Sequence, residues 1–383
     1  PVQLSRQLAG RGYKVLHLYA GYNVTPRGLL AEQDDDPGTF SIHPIYIRKP
    51  LNKYNFYKRW LQEREYGQLL ANEIVTFRPD VVISANTPLD AQKQALKATR
   101  IIKGKFLFWL QDIIGIATQR LLTKRLPILG SLIGAYYIRL EKELLRSSDH
   151  VVPITEDFVP LMRQWGIKES QITVIPNWAT LNDLAVQSKD NPWSRSNELT
   201  EKFCFLYSGT LGMKHNPDML LQLALHFRKA SNVRIVVVSE GPGADWLIMQ
   251  REIHKLDNCK IFKYQPFEQL PNVMGTADVL IALLDPDAGV YSVPSKVLTY
   301  LCAQRPLLLA VPMENLASRI VKENDAGLVV DPSDISKFIA NAKILLNDNA
   351  MRARLGQNGR KYAKNNFNIN KISGKFESII DKF

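Results

Sequence analysis

Two strand-to-helix turns in the second half of the chain carry residue types that suit an anionic ligand. In the first turn, an apolar stretch at 203–208 runs into Gly209, Thr210, Gly212 and Lys214. A glycine turn lets backbone N–H groups approach an anion, the start of a following helix adds partial positive charge, and Lys214 adds a full charge. The spacing is not that of a P-loop. The turn predicts a phosphate site, with an ordinary turn and a solvated lysine as the alternative.

The second turn follows Pro294, where the chain continues with Ser295, Lys296 and Val297 and reaches Thr299 one helical turn beyond Ser295. Proline with serine beside it is typical of a helix start. The helix dipole opposes a lysine there, so its presence calls for a compensating anion such as a phosphate. A capped helix with a solvent-directed lysine is the alternative. Two such turns in one half of the chain favour an anion site at both.

Two shorter segments between these turns could complete a nucleotide site. Ser239 ends an apolar stretch and is followed by Gly241 and Gly243, a glycine spacing that is a weak signal by itself. Tyr264 and Gln265 end the next apolar stretch in a turn whose backbone groups could pair with the edge of a nucleobase. Taken alone, each segment is more typical of an ordinary loop.

Short apolar, β-branched stretches recur along the whole chain, with amphipathic segments of helix length between most of them. Continuous apolar strands separated by helices indicate parallel sheets covered on both faces. Eleven strands are too many for one doubly wound unit, so we predict an α/β fold with two facing Rossmann-like domains. The predicted strands are residues 13–20, 80–85, 105–110, 150–155, 172–175, 203–208, 233–239, 260–264, 279–284, 306–311 and 327–330.

The domain boundary is predicted after Trp178, which gives domains of residues 1–178 and 179–366. The polar stretch 187–197 has the composition of a linker. Residues 1–12 have the pattern of a helix, before which a doubly wound domain would normally have a strand and its loop. Either that strand is missing from the sequence or the sheet starts late.

The composition excludes several classes of protein. The 383 residues are 45% hydrophobic and 22% charged, which is ordinary for a globular protein. The net charge of +12 suits an anionic small molecule or membrane surface, and the absence of long basic blocks argues against nucleic acid. Three scattered cysteines are too few for a disulfide framework or a zinc site and predict a reducing, cytoplasmic location, and the six histidines show no metal-ligand spacing. We find no signal peptide and no apolar stretch long enough to span a bilayer.

Taken in order, these segments resemble the nucleotide-sugar domain of GT-B glycosyltransferases of family 4. They are most similar to bacterial exopolysaccharide and O-antigen enzymes whose segments read YSGxLG, PYQP and PSK. The corresponding residues here are 207–212, 263–266 and 294–296, and the similarity extends to 174–178 and 109–112.

The resemblance implies transfer of a hexose from a UDP-sugar, such as UDP-glucose or a UDP-N-acetylhexosamine, with retention at the anomeric carbon and without a metal or other cofactor. The acceptor would be a saccharide or a lipid-linked saccharide in cell-surface polysaccharide biosynthesis. Residues 1–178 would form the acceptor side, residues 179–366 would bind the nucleotide sugar, and residues 367–383 would form a helix that returns to the first domain.

Within the implied site, Lys214 and the backbone of residues 295–297 would hold the diphosphate, and Tyr264 and Gln265 would meet a uracil base. The catalytic candidates are Asp112, Lys214 and Lys296. The donor-binding candidates are Gly209, Thr210, Gly212, Lys214, Ser239, Tyr264, Gln265, Tyr291, Ser295, Lys296, Val297 and Thr299.

Four positions depart from the family pattern. Tyr291 and Thr299 stand where the family has two glutamates, so Thr299 offers the ribose a single hydroxyl and the donor-sugar contact at Tyr291 is altered. Thr210 replaces a basic residue, for which Lys296 would compensate. Gln111 replaces a histidine that is common in relatives.

Polar residues that follow strands of the first domain are candidates for the acceptor side. Asp112 comes directly after a buried strand, and a cap of the next helix is its alternative role. Asn86 and Thr87 are weaker candidates, and Glu156 has the setting of a helix start.

The stretch 126–138 is uncharged and bracketed by Lys124, Arg125 and Arg139. It is too short to span a bilayer, but it could dock on the anionic inner leaflet, together with residues 54–60. A buried helix or an oligomer contact is the alternative. At the level of function, a UDP-sugar epimerase of similar architecture and a nucleotide-sugar-binding protein without catalysis also remain open.

Overall fold

The computed structural model describes residues 1–22, 30–52, 55–85, 87–212, 215–286 and 294–383. These residues fall into two compact units. Unit 1 contains the described residues up to Pro176 together with Ile369–Phe383, and unit 2 contains Asn177–Asn368. The predicted site residues Lys214 and Tyr291 and the candidate Asn86 lie outside the described residues.

Unit 1 contains two parallel sheets. One pairs β1 (Val15–Ala20) with β2 (Phe40–Ile45), and the other has the order β3 (Val81–Ala85), β4 (Lys105–Leu110), β5 (His150–Pro153). Strands β4 and β5 are almost completely buried, as their apolar sequences predict. Among the described residues, all strand pairs in this unit are parallel.

Two strand predictions in unit 1 are wrong. Strand β2 was missed because Ser41, His43 and Pro44 interrupt its apolar pattern; a proline is tolerated there because β2 has a strand partner only on its β1 side among the described residues. The predicted strand 172–175 reduces to a single bridge between Ile172 and Val151.

The helices of unit 1 cover these sheets, and two of them form a tight hairpin. In that hairpin a Cβ on Gly134 of α5 would come within 2.5 Å of Gln119 of α4, so the absence of a side chain permits the close packing. The helices are α1 (Val2–Ala9), α2 (Phe56–Phe77), α3 (Leu89–Ile101), α4 (Ile114–Arg125), α5 (Pro127–Ser147), α6 (Val159–Gln164) and, numbered in chain order, α15 (Ile369–Ile380).

Helix α15 completes unit 1 from the far end of the sequence. Arg11 forms an ion pair with Glu377 and also donates to the Asn370 carbonyl at 2.7 Å. The ring of Phe376 lies edge-on to Trp109, with 5.0 Å between the ring centroids. The predicted return of the C-terminal helix to the first domain is therefore confirmed.

Unit 2 is a six-stranded parallel sheet with the order β11-β10-β9-β6-β7-β8. Because β6 lies between β7 and β9, the strand order reverses at β6 and β9, and ligands of doubly wound sheets bind at such a point, beyond the carboxyl ends of the strands. The strands are β6 (Phe203–Ser208), β7 (Val233–Val238), β8 (Cys259–Phe262), β9 (Val279–Leu283), β10 (Leu307–Ala310) and β11 (Gly327–Val330).

Helices of unit 2 follow its strands on both faces of the sheet, and two buried clusters, one on each face, form its core. Strand β9 is buried over its whole length, as expected for a continuous apolar run in a central parallel strand. The helices are α7 (Pro192–Ser196), α8 (Asp218–His226), α9 (Pro242–His254), α10 (Leu270–Thr276), α11 (Lys296–Cys302), α12 (Leu316–Glu323), α13 (Ile335–Asn347) and α14 (Asn349–Asn366).

The predicted linker 187–197 is instead a packed part of unit 2. Asn191 and Ser194 form a reciprocal cap at the start of α7, and the Asn191 amide donates to the Asn272 carbonyl at 3.1 Å. Trp193 is 6% exposed and Ser194 is completely buried. The linker prediction is wrong because these polar side chains bond to the protein instead of to water.

Candidate functional site

The turn after β6 depends on a glycine. Gly209 has φ +120°, a conformation that L side chains rarely adopt, and its N–H donates to the Val238 carbonyl at 3.0 Å. A Cβ at this position would lie 3.4 Å from the Cε of Lys296. The predicted glycine is thus needed for the backbone bend, and the end of the Lys296 side chain lies at ordinary contact distance from it. The Gly212 N–H, also a predicted anion donor, donates to Nδ1 of His215 at 2.9 Å.

Lys296 is held against this turn by a buried tyrosine. Its Nζ donates to the Tyr207 hydroxyl, lies 3.8 Å from the centroid of the Tyr207 ring, and lies 3.4 Å from the Thr210 carbonyl oxygen. The Tyr207 hydroxyl itself donates to the Thr210 carbonyl at 2.8 Å. Burial raises the pKa of Tyr207 well above its usual value, so the phenol is neutral and leaves the lysine charge uncancelled.

A second tyrosine fixes the end of β6 to helix α11. The Tyr300 hydroxyl accepts from the Ser208 N–H at 2.9 Å and donates to the Ser208 carbonyl at 2.8 Å. Tyr300 is four residues beyond Lys296 on α11, so one face of this helix carries both contacts to the β6 turn. Sequence reasoning gave Tyr300 no role; its position one turn from Lys296 was the available signal.

The start of α11 carries the predicted phosphate-binding backbone. Ser295 occupies the N-cap position without a side-chain cap, and the helix begins at Lys296. The Val297 N–H donates to the Pro294 carbonyl at 3.0 Å, so this predicted donor already has a partner within the turn. Thr299 is half-buried one turn further along.

The loops after β7 and β8 join the same edge of the sheet. Ser239 is 3% exposed and its N–H donates to the Phe262 carbonyl at 2.9 Å. Beyond β8, the hydroxyl of Tyr264 donates to Oγ1 of Thr210 at 2.8 Å. Oε1 of Gln265 accepts from the indole of Trp193 at 3.1 Å, so part of the former linker sets the orientation of this amide.

Gly241 and Gly243, whose spacing was only a weak signal of a nucleotide site, have a structural role that was not predicted from the sequence. Gly241 has φ +120°, and the Gly243 N–H donates to the Leu211 carbonyl at 2.9 Å. A Cβ on Gly243 would lie only 2.6 Å from that carbonyl oxygen. The start of α9 therefore supports the β6 turn directly.

Unit 2 thus brings together Gly209, Thr210, Tyr264 and Lys296 at the point where its strand order reverses. Thr210 is exposed and Lys296 and Tyr264 are half-buried, so a ligand can reach the cluster from solvent. A fixed lysine beside a glycine turn can bind an anion, and the adjacent Gln265 amide can form hydrogen bonds in one plane. Within the described residues, no group of three or more His, Cys, Asp and Glu side chains could hold a metal ion.

In unit 1, Asp112 follows the central strand β4. Helix α4 begins at Ile114, and the N–H groups of Ile114 and Gly115 donate to the Glu141 carboxylate, each at 2.9 Å. The Glu141 carboxylate therefore accepts from the first N–H groups of α4. A cap of this helix was the alternative role predicted for Asp112. Burial raises the pKa of Glu141 to about 7, and the nearby charge of Asp112 acts in the same direction.

The stretch 126–138, which was predicted to dock on a membrane, carries several exposed apolar side chains. Ile128, Leu132 and Tyr136 are spaced by four residues on α5 and are 82%, 65% and 47% exposed, while Tyr137 on the opposite face is buried. Phe56 of α2 packs edge-on to Tyr137, with 6.3 Å between the centroids. We call Leu126, Ile128, Leu129, Leu132 and Tyr136 the α5 patch. No helix in the described part of the chain has the length and hydropathy needed to cross a bilayer.

Each half of the chain matches a family of glycosyltransferases. Residues 2–182 match the family described as Glycosyltransferase Family 4, and residues 189–362 match the family described as Glycosyl transferases group 1. Over 203 residues the chain is 26% identical to Probable glycosyltransferase WbjE of Pseudomonas aeruginosa. That alignment covers 51% of this chain and 49% of WbjE, so the chain spans about half the length of this curated relative.

Solved structures share the fold over nearly the whole chain. Sucrose-phosphate synthase from Thermosynechococcus elongatus superposes with a TM-score of 0.74 at 15% identity, covering 99% of this chain and 91% of that one. HepE of Anabaena, solved in complex with UDP-glucose, gives 0.67 at 15% identity, with coverages of 86% and 90%. The predicted GT-B fold is confirmed, and the chain belongs to the family 4-like GT-B glycosyltransferases.

Proposed function

We propose that this protein transfers a hexose from a UDP-sugar to a saccharide or lipid-linked acceptor, with retention at the anomeric carbon and without a metal ion. The carrying observation is the position of Lys296, whose charge is held by Tyr207 over the glycine turn where the strand order of unit 2 reverses. A doubly wound sheet binds its ligand at this point, and the residues there suit a diphosphate.

The proposed transfer reaction requires positive charge that the protein holds in a fixed position. The bond between the anomeric carbon and the diphosphate oxygen breaks, an acceptor hydroxyl oxygen bonds to the same face of that carbon, and the hydroxyl proton passes to the departing diphosphate. Negative charge grows on the diphosphate as it leaves. A lysine already oriented by a tyrosine and a carbonyl stabilises that charge without reorganising. Lys214 would add a second positive charge from the same turn.

The base and the sugar would occupy opposite ends of the cluster. Gln265, oriented by Trp193, offers its amide to a uracil edge, and Tyr264 joins that segment to Thr210. Ser239 and Thr299 are the hydroxyl residues proposed for the donor, and Asp112 is proposed for the acceptor side. UDP-glucose or a UDP-N-acetylhexosamine is the proposed donor; HepE, which shares the fold, was solved with UDP-glucose.

The proposed setting is the inner face of the plasma membrane, where a lipid-linked acceptor of cell-surface polysaccharide biosynthesis would be presented. The α5 patch offers apolar side chains, and the exposed Lys124 and Arg139 lie at its ends. This combination suits an anionic leaflet, which attracts basic residues and accepts apolar ones at the interface.

Calorimetric titration with UDP, GDP, UDP-glucose and UDP-N-acetylglucosamine, with and without EDTA, tests the donor proposal. We expect binding of UDP and of one UDP-sugar that EDTA leaves unchanged. Incubation of that sugar with lipid-linked acceptors then tests transfer, and NMR of the product reads the anomeric configuration. Binding without turnover on any acceptor would reduce the function to nucleotide-sugar binding; no nucleotide binding would overturn the proposal.

A further inference from the structure

His215 binds both backbone polar groups of Gly212. The Gly212 N–H donates to Nδ1 of His215 at 2.9 Å, and the backbone N–H of His215 donates to the Gly212 carbonyl, also at 2.9 Å. Gly212 belongs to the glycine turn after β6, and His215 is half-buried just before α8. A single residue, which the sequence analysis gave no role, thus holds one end of the described part of this turn.

The contact with Gly212 defines the protonation state of the His215 ring. A backbone N–H can only donate, so Nδ1 must offer its lone pair, and in a neutral imidazole the proton is then on Nε2. Protonation of the ring adds a proton to Nδ1, after which two donors face each other. The contact therefore exists only while the ring is neutral.

The peptide unit between Leu211 and Gly212 is held at both of its polar groups. Its N–H is bound by His215, and its carbonyl oxygen accepts from the Gly243 N–H at the start of α9 at 2.9 Å. Together the two contacts fix the rotation of this unit, with the carbonyl oxygen directed at α9. Without the His215 contact the unit can rotate, and a carbonyl oxygen directed at a bound anion repels it.

We propose that neutral His215 is a positioning residue of the donor site, because it holds the Leu211–Gly212 peptide unit in the orientation that suits a diphosphate. This role rests on the proposed function, in which the turn after β6 binds the diphosphate of the UDP-sugar. Loss of the contact, by substitution or by protonation of the ring, should weaken donor binding. An imidazole changes its charge between about pH 5 and 8, so protonation can be tested in an ordinary binding experiment.

Other charged groups lie on the elements around this turn. Helix α9 contacts the turn through Gly243, α11 contacts it through Lys296, and the Asn216 amide donates to the Pro332 carbonyl beyond β11 at 3.3 Å. The charged groups of these elements and of the turn itself include Lys214, Asp218, Glu240, Lys296, Asp331 and Asp334. A variant in which only the imidazole is changed keeps all of them, so it separates the contribution of His215 from theirs.

Two substitutions of His215 distinguish positioning from charge. Asparagine places its Oδ1 close to the position of the histidine Nδ1, so His215→Asn keeps an acceptor for the Gly212 N–H that does not titrate, whereas His215→Leu removes the acceptor. The probe is UDP-glucose or UDP-N-acetylglucosamine, whichever the parent protein binds. Both phosphates of these ligands are esterified, so the ligand keeps its charge while calorimetry covers the range from about pH 8 to 5.5.

At pH 8 we expect His215→Leu to bind the probe on the order of tenfold more weakly than the parent, and His215→Asn to bind it within about twofold. On acidification the parent should lose affinity and His215→Asn should keep it. His254→Asn, the same substitution at an exposed histidine that ends α9, is the matched control and should behave as the parent does. Uridine, which has no phosphate, should bind all the variants equally.

Three results would overturn the proposal while leaving the donor site itself intact. They are equal affinity of His215→Leu and the parent at pH 8, an unchanged pH dependence in His215→Asn, and tighter binding at low pH, which would assign the imidazolium a direct charge contact. Failure of the parent to bind any UDP-sugar would instead overturn the proposed function, and this role with it.

NMR tests the contact without a nucleotide. In protein labelled with ¹⁵N-histidine and ¹⁵N-glycine, the ring signal that is absent from His215→Asn identifies His215, and we expect the Nε2–H tautomer at pH 8. The Gly212 amide signal should shift as this ring is protonated in the parent and should stay in place in His215→Asn. An Nδ1–H tautomer would overturn the proposal even where the UDP-sugar binds.

Discussion

The hydroxyl of Tyr300 bonds to both backbone polar groups of Ser208, accepting from its N–H at 2.9 Å and donating to its carbonyl at 2.8 Å. One side chain of α11 thus replaces the strand partner that β6 would need at its carboxyl end. This contact fixes α11 against the β6 turn. It thereby also positions the side chain of Lys296, which lies one helical turn earlier, beside Gly209.

The substitution Tyr300→Phe should therefore destabilise unit 2. It leaves both groups of Ser208 without their partner in a buried setting, which costs about 1–3 kcal/mol. Urea denaturation measures the loss, and UDP titration of the folded variant should show weaker binding. Tyr362→Phe on α14 is the control with unchanged stability; equal stability of both variants would contradict the role assigned to Tyr300.

Removing the charge of Lys296 should weaken the diphosphate contact specifically. For Lys296→Gln we expect UDP affinity to fall on the order of 10- to 100-fold, because a hydrogen bond to a charged group contributes about 1.5–3 kcal/mol. Uridine, which has no phosphate, should bind both proteins equally. Lys322→Gln, an exposed lysine of α12, is the matched control. A parallel loss of uridine binding would point to a collapsed site instead.

Thr299 should be a second determinant of UDP affinity. Restoring the acidic residue typical of the family with Thr299→Glu is expected to tighten UDP several-fold, since a carboxylate accepts from both ribose hydroxyls where Thr299 offers one group. The gain should disappear with 2′,3′-dideoxy-UDP. Thr299→Val, which keeps the shape and removes the hydroxyl, should bind UDP more weakly. Weaker binding by the glutamate variant would mean that the pocket is built around threonine.

Glu141 should make the stability of unit 1 depend on pH. Burial raises its pKa from the ordinary 4.5 to about 7, so between these values the folded state binds more protons than the unfolded state. Stability should therefore fall as pH rises from about 4.5 to 7, by up to about 1.4 kcal/mol per unit, and level off above. Denaturation across this range should lose the slope in Glu141→Gln and keep it in Glu143→Gln, an exposed neighbour.

The α5 patch should control association with anionic vesicles. Replacing Ile128 and Leu132 with glutamate adds negative charge to the most exposed part of the patch and should abolish sedimentation with phosphatidylglycerol vesicles. The matched double variant, Met249→Glu with Ile253→Glu, has the same spacing on α9 of unit 2 and should sediment as the parent does. Loss of sedimentation in both variants would reflect charge alone.

Much of the fold follows from periodicity, because interior parallel strands such as β4 and β9 are continuous apolar runs. Edge positions give a weaker pattern. Strand β2 tolerates His43 and Pro44 because its outer side carries no described partner, and these residues conceal it. The segment 187–197 was wrongly predicted to be a linker because its composition is polar. Its residues Asn191 and Ser194 form hydrogen bonds inside the protein.

The candidate site, like the fold, could be predicted only in part. Gly209 and Lys296 were predicted because a strained turn and a lysine at a helix start are local features. The supports of the site could not be found this way: Tyr207, Tyr300 and Gly243 act on residues that other elements bring to them. Such pairings become visible only when the strand order is known.

The placement of α15 has a consequence for biosynthesis. Unit 2 is built from the continuous stretch Asn177–Asn368, whereas unit 1 needs Ile369–Phe383 to cover Trp109 and Arg11. Because a ribosome delivers the chain from its amino end, unit 2 has its full sequence before unit 1 does. The unit that is translated first is thus completed last, and until then the surface around Trp109 lacks the cover that Phe376 gives it.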